Sequence, residues 1–230
     1  MKKIILLLSA LLLSCNAFAN EEILSKENEI QTKIDNIGVN ILNSNKIEKR
    51  IVFIYDEKAR ENFLKLNKTL SKRQVVVYGN SYKFIENNDE LVAFLSREIV
   101  SALRAHEGLG NGLLSAIKMK AAPKKYELVF DKIAIDYMVE SGYNPLGLIT
   151  FINKSCPQAR QDKISNKNLT SKRLANIYEK IYIQYPYFLV NNEYLNNVHY
   201  QNFLLTSLEN RKKVQQKALN PKENKGLKYE

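Results

Sequence analysis

The sequence predicts an α+β protein that is mainly helical and carries one small β-sheet. Long segments have apolar residues at helical spacing, and Gly or Pro residues mark where those segments end. Only two short runs, 51–55 and 74–78, are rich in β-branched and aromatic residues, which is typical of strands. With 230 residues, of which 45% are hydrophobic and 26% charged, the composition is that of a single folded domain with a tail.

The amino-terminal residues are typical of a secretory leader. Two lysines precede an apolar stretch at 4–13, which is too short for the roughly 20 residues that span a bilayer. Two ways of ending the leader stay open. Residues 12–15 resemble a lipobox, which would make Cys15 a lipidated amino terminus, whereas a small-x-small site at 17–19 gives a leader of residues 1–19. Both endings predict an exported protein, in the periplasm or anchored as a lipoprotein of a bacterial envelope.

Charge and cysteine usage agree with export. The whole chain has a formal net charge of +11, and removal of the two leader lysines lowers it to +9. This charge favours an anionic membrane surface or acidic envelope polymers as partners, while export argues against nucleic acid. Beyond the leader only Cys156 remains, and we expect a small buried residue rather than half of a disulfide.

Helices are predicted along most of the remaining chain. An amphipathic helix, or a pair of them, is expected at 21–48. The polar pair at 88–89 places an N-cap before a long helix at 90–106, which stops in the glycine cluster 108–112. Further helices are expected at 124–141, 145–153 and 170–183, with a polar loop at 154–169.

The sequence predicts that the folded domain ends near residue 205 and that a tail follows it. We expect a main domain over residues 20–205 and a basic, largely disordered tail at 206–230. Residues 211–230 hold seven basic and two acidic side chains and few apolar ones. Many aromatic residues lie between 178 and 203; we expect them to cover the core, and the alternative is a partner-binding patch.

The counts of special residues exclude several kinds of site. Two histidines and two cysteines cannot form a three-histidine metal centre, a four-cysteine site or a disulfide-dense scaffold. Eight glycines leave little room for a Rossmann or P-loop scaffold. We expect His106 and His199 to be structural or surface imidazoles.

The most informative motif is the stretch Asp89–Ser101, which reads DELVAFLSREIVS. It resembles the active-site helix of the HtpX/CaaX-prenyl-protease type of zinc metallopeptidase, D-E-L-A-A-V-L-A-H-E-I-G-H. In that motif two His at i and i+4 share a helix face and bind zinc, and the Glu between them is the general base. His106 stands where the family often has a further, non-ligand His, and residues 75–78 are similar to its substrate-edge strand.

Two further blocks extend the resemblance over about residues 48–178. Residues 127–134 resemble the family's E-x-E-A-D-x-x-A, in which the second Glu is the third zinc ligand and the Asp orients a ligand His. Ser141–Pro145 resembles its A-G-Y-D-P, and Thr170–Arg173 is similar to the end of its H-P-S-x-x-x-R. The resemblance implies a zincin-like metallopeptidase domain with a small β-sheet.

The same resemblance implies that the zinc ligands have been lost. Arg97 and Ser101 stand at the two histidine positions, and Val129 stands at the position given to the ligand Glu. A catalytic zinc needs three protein ligands, and arginine cannot lose its proton to become one. Only Glu98, at the general-base position, and Asp131, at the supporting position, match the family. No cofactor is therefore expected, and zinc is implied only if unconventional ligands hold it.

The surviving acids lead to a structural hypothesis. We expect Arg97 to take over the charge of the metal by pairing with Asp131 and Glu98, because an unpaired buried carboxylate is costly. Such a pair would tie the helix at 90–106 to the helix at 124–141. The alternative is that both acids stay partly solvated.

Three functions are compatible with these residues. The first is an exported, non-catalytic pseudo-peptidase that holds an extended peptide or an envelope protein along Val75, Val76, Val77 and Tyr78, beside Ser101. The alternatives are an active metallopeptidase with unconventional ligands and a basic protein that associates with the membrane surface or with envelope polymers.

Overall fold

The computed structural model describes residues 24–57, 73–105, 123–156, 169–223 and 227–229. The described chain is mainly helical with a small two-stranded sheet, which confirms the predicted α+β class. The leader with Cys15, the glycine cluster 108–112 and His106 lie outside the described residues. No helix within the described ranges has both the length and the apolar character needed to cross a membrane.

Helix α1 and the sheet form one side of the molecule. A single helix, α1 (residues 24–44), covers most of the segment predicted to hold one or two. Strands β1 (Val52–Asp56) and β2 (Gln74–Tyr78) are parallel, with Val52 opposite Gln74. The side chain of Gln31 on α1 accepts from the amide of Tyr55 at 2.6 Å and donates to the carbonyl of Phe53 at 3.2 Å. An α1 side chain therefore covers the outer edge of β1.

The centre of the fold is α3 (Asn88–Ala105), which follows a short helix, α2 (Gly79–Tyr82). Every residue from 90 to 97 is buried, so this part of α3 is surrounded on all sides. Asn87 caps the helix, because its Oδ1 accepts from the amide of Glu90 at 3.0 Å. The cap therefore lies just before the predicted polar pair.

Two helices pack against α3. Helix α4 (Pro123–Glu140) ends in a turn at Gly142, whose φ of 81° suits glycine, and helix α5 (Leu146–Ser155) follows. A Cβ added at Gly147 would lie 2.6 Å from the Cβ of Asp89, so α5 approaches α3 closely only because this residue has no side chain. Both helices lie where the sequence predicted them.

The remaining helices complete the core. They are α6 (Leu169–Gln184), α7 (Tyr187–Val190), α8 (Val198–Thr206) and α9 (Leu208–Leu219). Helix α6 contacts α4, α5 and α9, and α8 packs on α5. Four aromatic side chains of the 178–203 segment are buried in the core, as expected of a core-covering extension: Tyr178, Tyr194, Tyr200 and Phe203.

The prediction of a largely disordered tail from residue 206 does not hold for its first half. Helix α9 packs on α6, and Val214 is fully buried there. The side-chain amide of Asn210 donates to the hydroxyl of Ser171 at 3.2 Å. Arg211 donates to the carbonyl of Leu204 at 2.9 Å. One apolar side chain and several polar contacts hold this helix in place. Because most of its residues are polar or charged, the sequence pattern did not predict a helix here. Tyr229 is also buried, at 7% exposure.

Candidate functional site: a buried arginine–carboxylate cluster

Four charged side chains meet where α3, α4 and α6 pack together. We call Arg97, Glu127, Asp131 and Arg173 the arginine–carboxylate cluster. Their exposed fractions are only 2%, 4%, 0% and 0%, respectively. Two positive and two negative charges give a formally neutral group in the interior, which is the condition under which buried charges are tolerated.

Arg97 pairs with both carboxylates of α4. Its Nε lies 2.6 Å from Asp131 Oδ1, and its Nη2 donates to Glu127 Oε2 in a short, buried contact. Residues 127 and 131 are four apart on one helix, so their side chains share the face turned toward α3. The expected pairing of Arg97 with Asp131 is confirmed, and it ties α3 to α4 as predicted.

Arg173 supplies the second positive charge from α6. Its Nε donates to Asp131 Oδ2 at 2.7 Å and its Nη2 donates to Asp131 Oδ1 at 2.9 Å. This is the bidentate geometry that makes arginine–carboxylate pairs strong and orientation-specific. Its Nη1 lies 3.5 Å from Glu127 Oε2. Asp131 is therefore held by two guanidinium groups, and the cluster joins three helices.

The electrostatics of the cluster favour the charged forms of Arg97 and Asp131. Burial alone would raise the pKa of Asp131, but the guanidinium groups of Arg173 and Arg97 outweigh it and lower that pKa below its ordinary value. Burial alone would lower the pKa of Arg97, but the carboxylates of Glu127 and Asp131 raise it. Both directions mean that each charge is stabilised chiefly by the other charges of the cluster.

The other residues matched to the peptidase family lie around the cluster with differing roles. Glu98 is half-buried, and its charge contributes less to the raised pKa of Arg97 than the two α4 carboxylates do. The partly solvated alternative therefore describes Glu98 but not Asp131. Ser101, one turn after Arg97, is 2% exposed, and its Oγ has no hydrogen-bond partner within the described chain.

Val129, which the resemblance places at the third-ligand position, does not face Arg97 in the structure. Val129 is half-buried and takes no part in the ion pairs of Arg97, whereas Glu127 does. The physical reason is the helical period: a residue two positions before Asp131 points about 200° away from it, while one four positions before points the same way. The α4 carboxylate nearest the first histidine position is therefore that of Glu127.

Strand β2 packs against α3, the helix that carries Arg97. Val75 and Val77 are fully buried and contribute to the core, whereas Val76 and Tyr78 are half-buried on the opposite face. The sheet pairs β2 with β1 alone among the described strands, and β2 packs on α3. The strand predicted as the peptide-binding edge therefore lies beside α3. The cleft expected beside Ser101 is not supported, because the Ser101 side chain is buried.

Cys156 directly follows α5, and His199 lies at the start of α8. Cys156 is a free, half-buried thiol, and burial raises its pKa although the Arg173 charge opposes the shift. A raised pKa reduces the thiolate fraction and therefore the reactivity. His199 is half-buried at the start of α8, where its backbone carbonyl accepts from Asn153 at 2.6 Å. The backbone of His199 thus joins the start of α8 to α5.

A second buried polar group fixes the start of α3. The carboxylate of Glu90, fully buried, accepts from Thr150 at 2.8 Å and from Lys154 at 2.7 Å. Asp89 accepts from the amide of Asn144 at 3.1 Å and from the hydroxyl of Tyr194 at 2.7 Å. The Asp-Glu pair that opens the resembling motif therefore holds α3 to α5 and to the loop before α8.

The residues at the cluster do not fit a zinc ion. The two histidine positions carry a guanidinium that is already paired and a hydroxyl, and neither replaces an imidazole as a ligand. Within the described ranges no group of three or more His, Cys, Asp or Glu side chains could hold a metal ion. The cluster is therefore a set of mutually compensating charges rather than a set of metal ligands.

The motifs assigned no role to two members of the cluster. Arg173 lies in the weakest of the resembling blocks, and the resemblance gave Glu127 no role. The spacing of Glu127 and Asp131 could have predicted this cluster, because two carboxylates four residues apart on a buried helix require positive charges nearby.

Comparisons with family models, with curated proteins and with solved structures found no match for this chain.

Proposed function

We propose that this chain is an exported, non-catalytic relative of the HExxH zinc metallopeptidases that binds an extended peptide or an envelope protein. The arginine–carboxylate cluster is the observation that carries the proposal. Its members stand at or beside the positions that the resemblance assigns to the metal centre, and they satisfy one another. A scaffold that binds peptide through main-chain hydrogen bonds keeps that ability without a metal.

Strand β2 is the proposed binding edge. Gln31 covers the outer edge of β1, and no other described strand pairs with β2. An added peptide strand gains main-chain hydrogen bonds, and alternate side chains give it specificity. Val76 and Tyr78, which face away from the core, are the side chains that such a peptide would contact beside this edge.

The test is a peptide array that displays segments of exported bacterial proteins, probed with the purified mature chain. We expect a subset of extended peptides to bind the wild type. Val76→Lys on β2 should abolish that binding, because an inserted charge blunts a strand edge against pairing. Val52→Lys is the matched control, since Val52 is 46% exposed on the same sheet face but on β1.

Equal binding to Val76→Lys and wild type would contradict the proposed edge. Hydrolysis of bound peptides by metal-free protein purified with a chelator present would contradict the non-catalytic assignment. The alternative of an active metallopeptidase is tested in the same assay by adding zinc, since activity that depends on zinc would favour it.

A further inference from the structure

The buried side chain of Tyr229 lies against α9, at a second candidate binding site. Its ring is 7% exposed and belongs to the main core, although it lies ten residues beyond the end of α9. The Nζ of Lys217 lies 4.1 Å from the ring centroid, a cation–π distance. The ring therefore occupies a specific place against α9 rather than lying loosely on the surface.

An ion pair borders the place of the Tyr229 ring. Lys217 also pairs with Glu179 of α6 at 3.4 Å, and both side chains are only 19% exposed. Burial and then the nearby Glu179 raise the pKa of the Tyr229 phenol, so it stays neutral at physiological pH. A paired lysine and glutamate thus lie beside the ring, and the lysine of that pair makes the cation–π contact.

The same two charged residues line an open cavity that Tyr229 leaves free. The cavity has a volume of about 600 Å³, and Tyr182, Ile183, Ala218 and Pro221 complete its walls. This volume lies within the ordinary range of ligand pockets. Ile183 is 55% exposed, which leaves apolar surface beside the cavity uncovered. We call this cavity and the place of Tyr229 together the α6–α9 groove.

We propose that the α6–α9 groove binds a peptide segment that presents a tyrosine, and that Tyr229 of the same chain is its intramolecular competitor. The chain's own residue shows which chemistry the groove accepts: a neutral aromatic ring over Lys217 and beside Glu179. The open cavity next to it gives the flanking residues of a partner peptide somewhere to pack. This proposal involves α6 and α9 and does not depend on the function proposed for β2.

Tyr229 competes with an external peptide because the chain joins Tyr229 covalently to the groove. A segment joined to its own binding site by a few residues acts at an effective concentration of about a millimolar. An external peptide of the same sequence must overcome that concentration in the wild type. Removal of the Tyr229 ring should therefore expose the groove to peptide in solution.

The test uses the full mature chain and a fluorescein-labelled synthetic peptide with the sequence of residues 222–230. Fluorescence anisotropy should show at least tenfold tighter binding to Tyr229→Ala than to the wild type. The same peptide with alanine in place of its tyrosine should not bind either protein. Ile183→Glu, added to Tyr229→Ala, should weaken binding at least tenfold, and this exposed site keeps the fold intact.

The outcomes separate the proposal from a purely structural role of Tyr229. Circular dichroism confirms that each variant is folded before binding is measured. Binding of the tyrosine peptide that is no tighter to Tyr229→Ala than to wild type would overturn the proposal. Equal binding of the tyrosine and alanine peptides would overturn it as well, because the ring would then not be what the groove recognises.

Discussion

Replacement of Arg97 by methionine tests whether the arginine–carboxylate cluster is held by mutual charge compensation. Methionine keeps an unbranched stem of similar length but removes the charge. Glu127 would then keep only the Arg173 contact at 3.5 Å, while Asp131 would keep its two hydrogen bonds to Arg173. One buried carboxylate thus loses its closest partner.

The size of the effect follows from the burial. Removal of one partner of a buried ion pair typically costs about 3–5 kcal/mol, because a buried charge is left uncompensated. With a urea m-value of about 2 kcal/mol/M, the Arg97→Met midpoint should fall by about 2 M. The assay is urea denaturation at pH 7 followed by circular dichroism.

Two further variants make the reasoning specific. Arg97→Met combined with Glu127→Leu leaves the neutral bidentate pair of Arg173 and Asp131, so we expect stability within about 2 kcal/mol of wild type. Lys212→Met is the exposed control: its ion pair with Glu209, at 56% and 74% side-chain exposure, should cost less than about 1 kcal/mol. An Arg97→Met loss no larger than that of the control would refute the reasoning.

Three further predictions concern pH, the start of α3 and metal binding. The part of the stability difference between wild type and Arg97→Met that comes from Asp131 should be full above about pH 4, the ordinary unfolded pKa, and should be lost as the pH falls through the lowered folded pKa. Urea titrations from pH 2 to 7 measure this; an unchanged difference at pH 2 is the contrary result. Tyr194→Phe should cost about 1.5–3 kcal/mol in the same assay, because the half-buried carboxylate of Asp89 loses its hydroxyl donor. The double variant Arg97→His with Ser101→His should bind about one zinc ion per chain by elemental analysis, with Glu127 as the third ligand, whereas each single variant should bind none; a double variant that binds no zinc would count against the resemblance to a zinc site.

The acid prediction rests on the direction of the Asp131 shift. In the unfolded chain this carboxylate titrates near its ordinary value, while in the folded protein the two guanidinium groups hold it ionised at lower pH. Between those values protonation therefore favours the unfolded state. Arg97→Met weakens the effect because one of the two guanidinium charges is gone.

Much of the fold could be predicted from the sequence because local patterns decided it. The strand at 74–78 and the helices at 124–141 and 170–183 lie within a residue or so of their predicted bounds. Periodicity, Gly and Pro determine such elements over short distances. Helix α9 was missed because only one of its side chains, Val214, is a fully buried apolar residue. Contacts from other parts of the chain stabilise it.

The sequence alone predicted the helices that carry Arg97 and Asp131, and the resemblance led to the expectation that these two residues pair. Only the tertiary structure decided that Glu127 faces the same site instead of Val129, and that Arg173, 42 residues after Asp131, supplies the second charge. The reason is physical. Helical spacing shows which side chains share a face, but the packing of three helices determines which faces meet and which charges compensate one another.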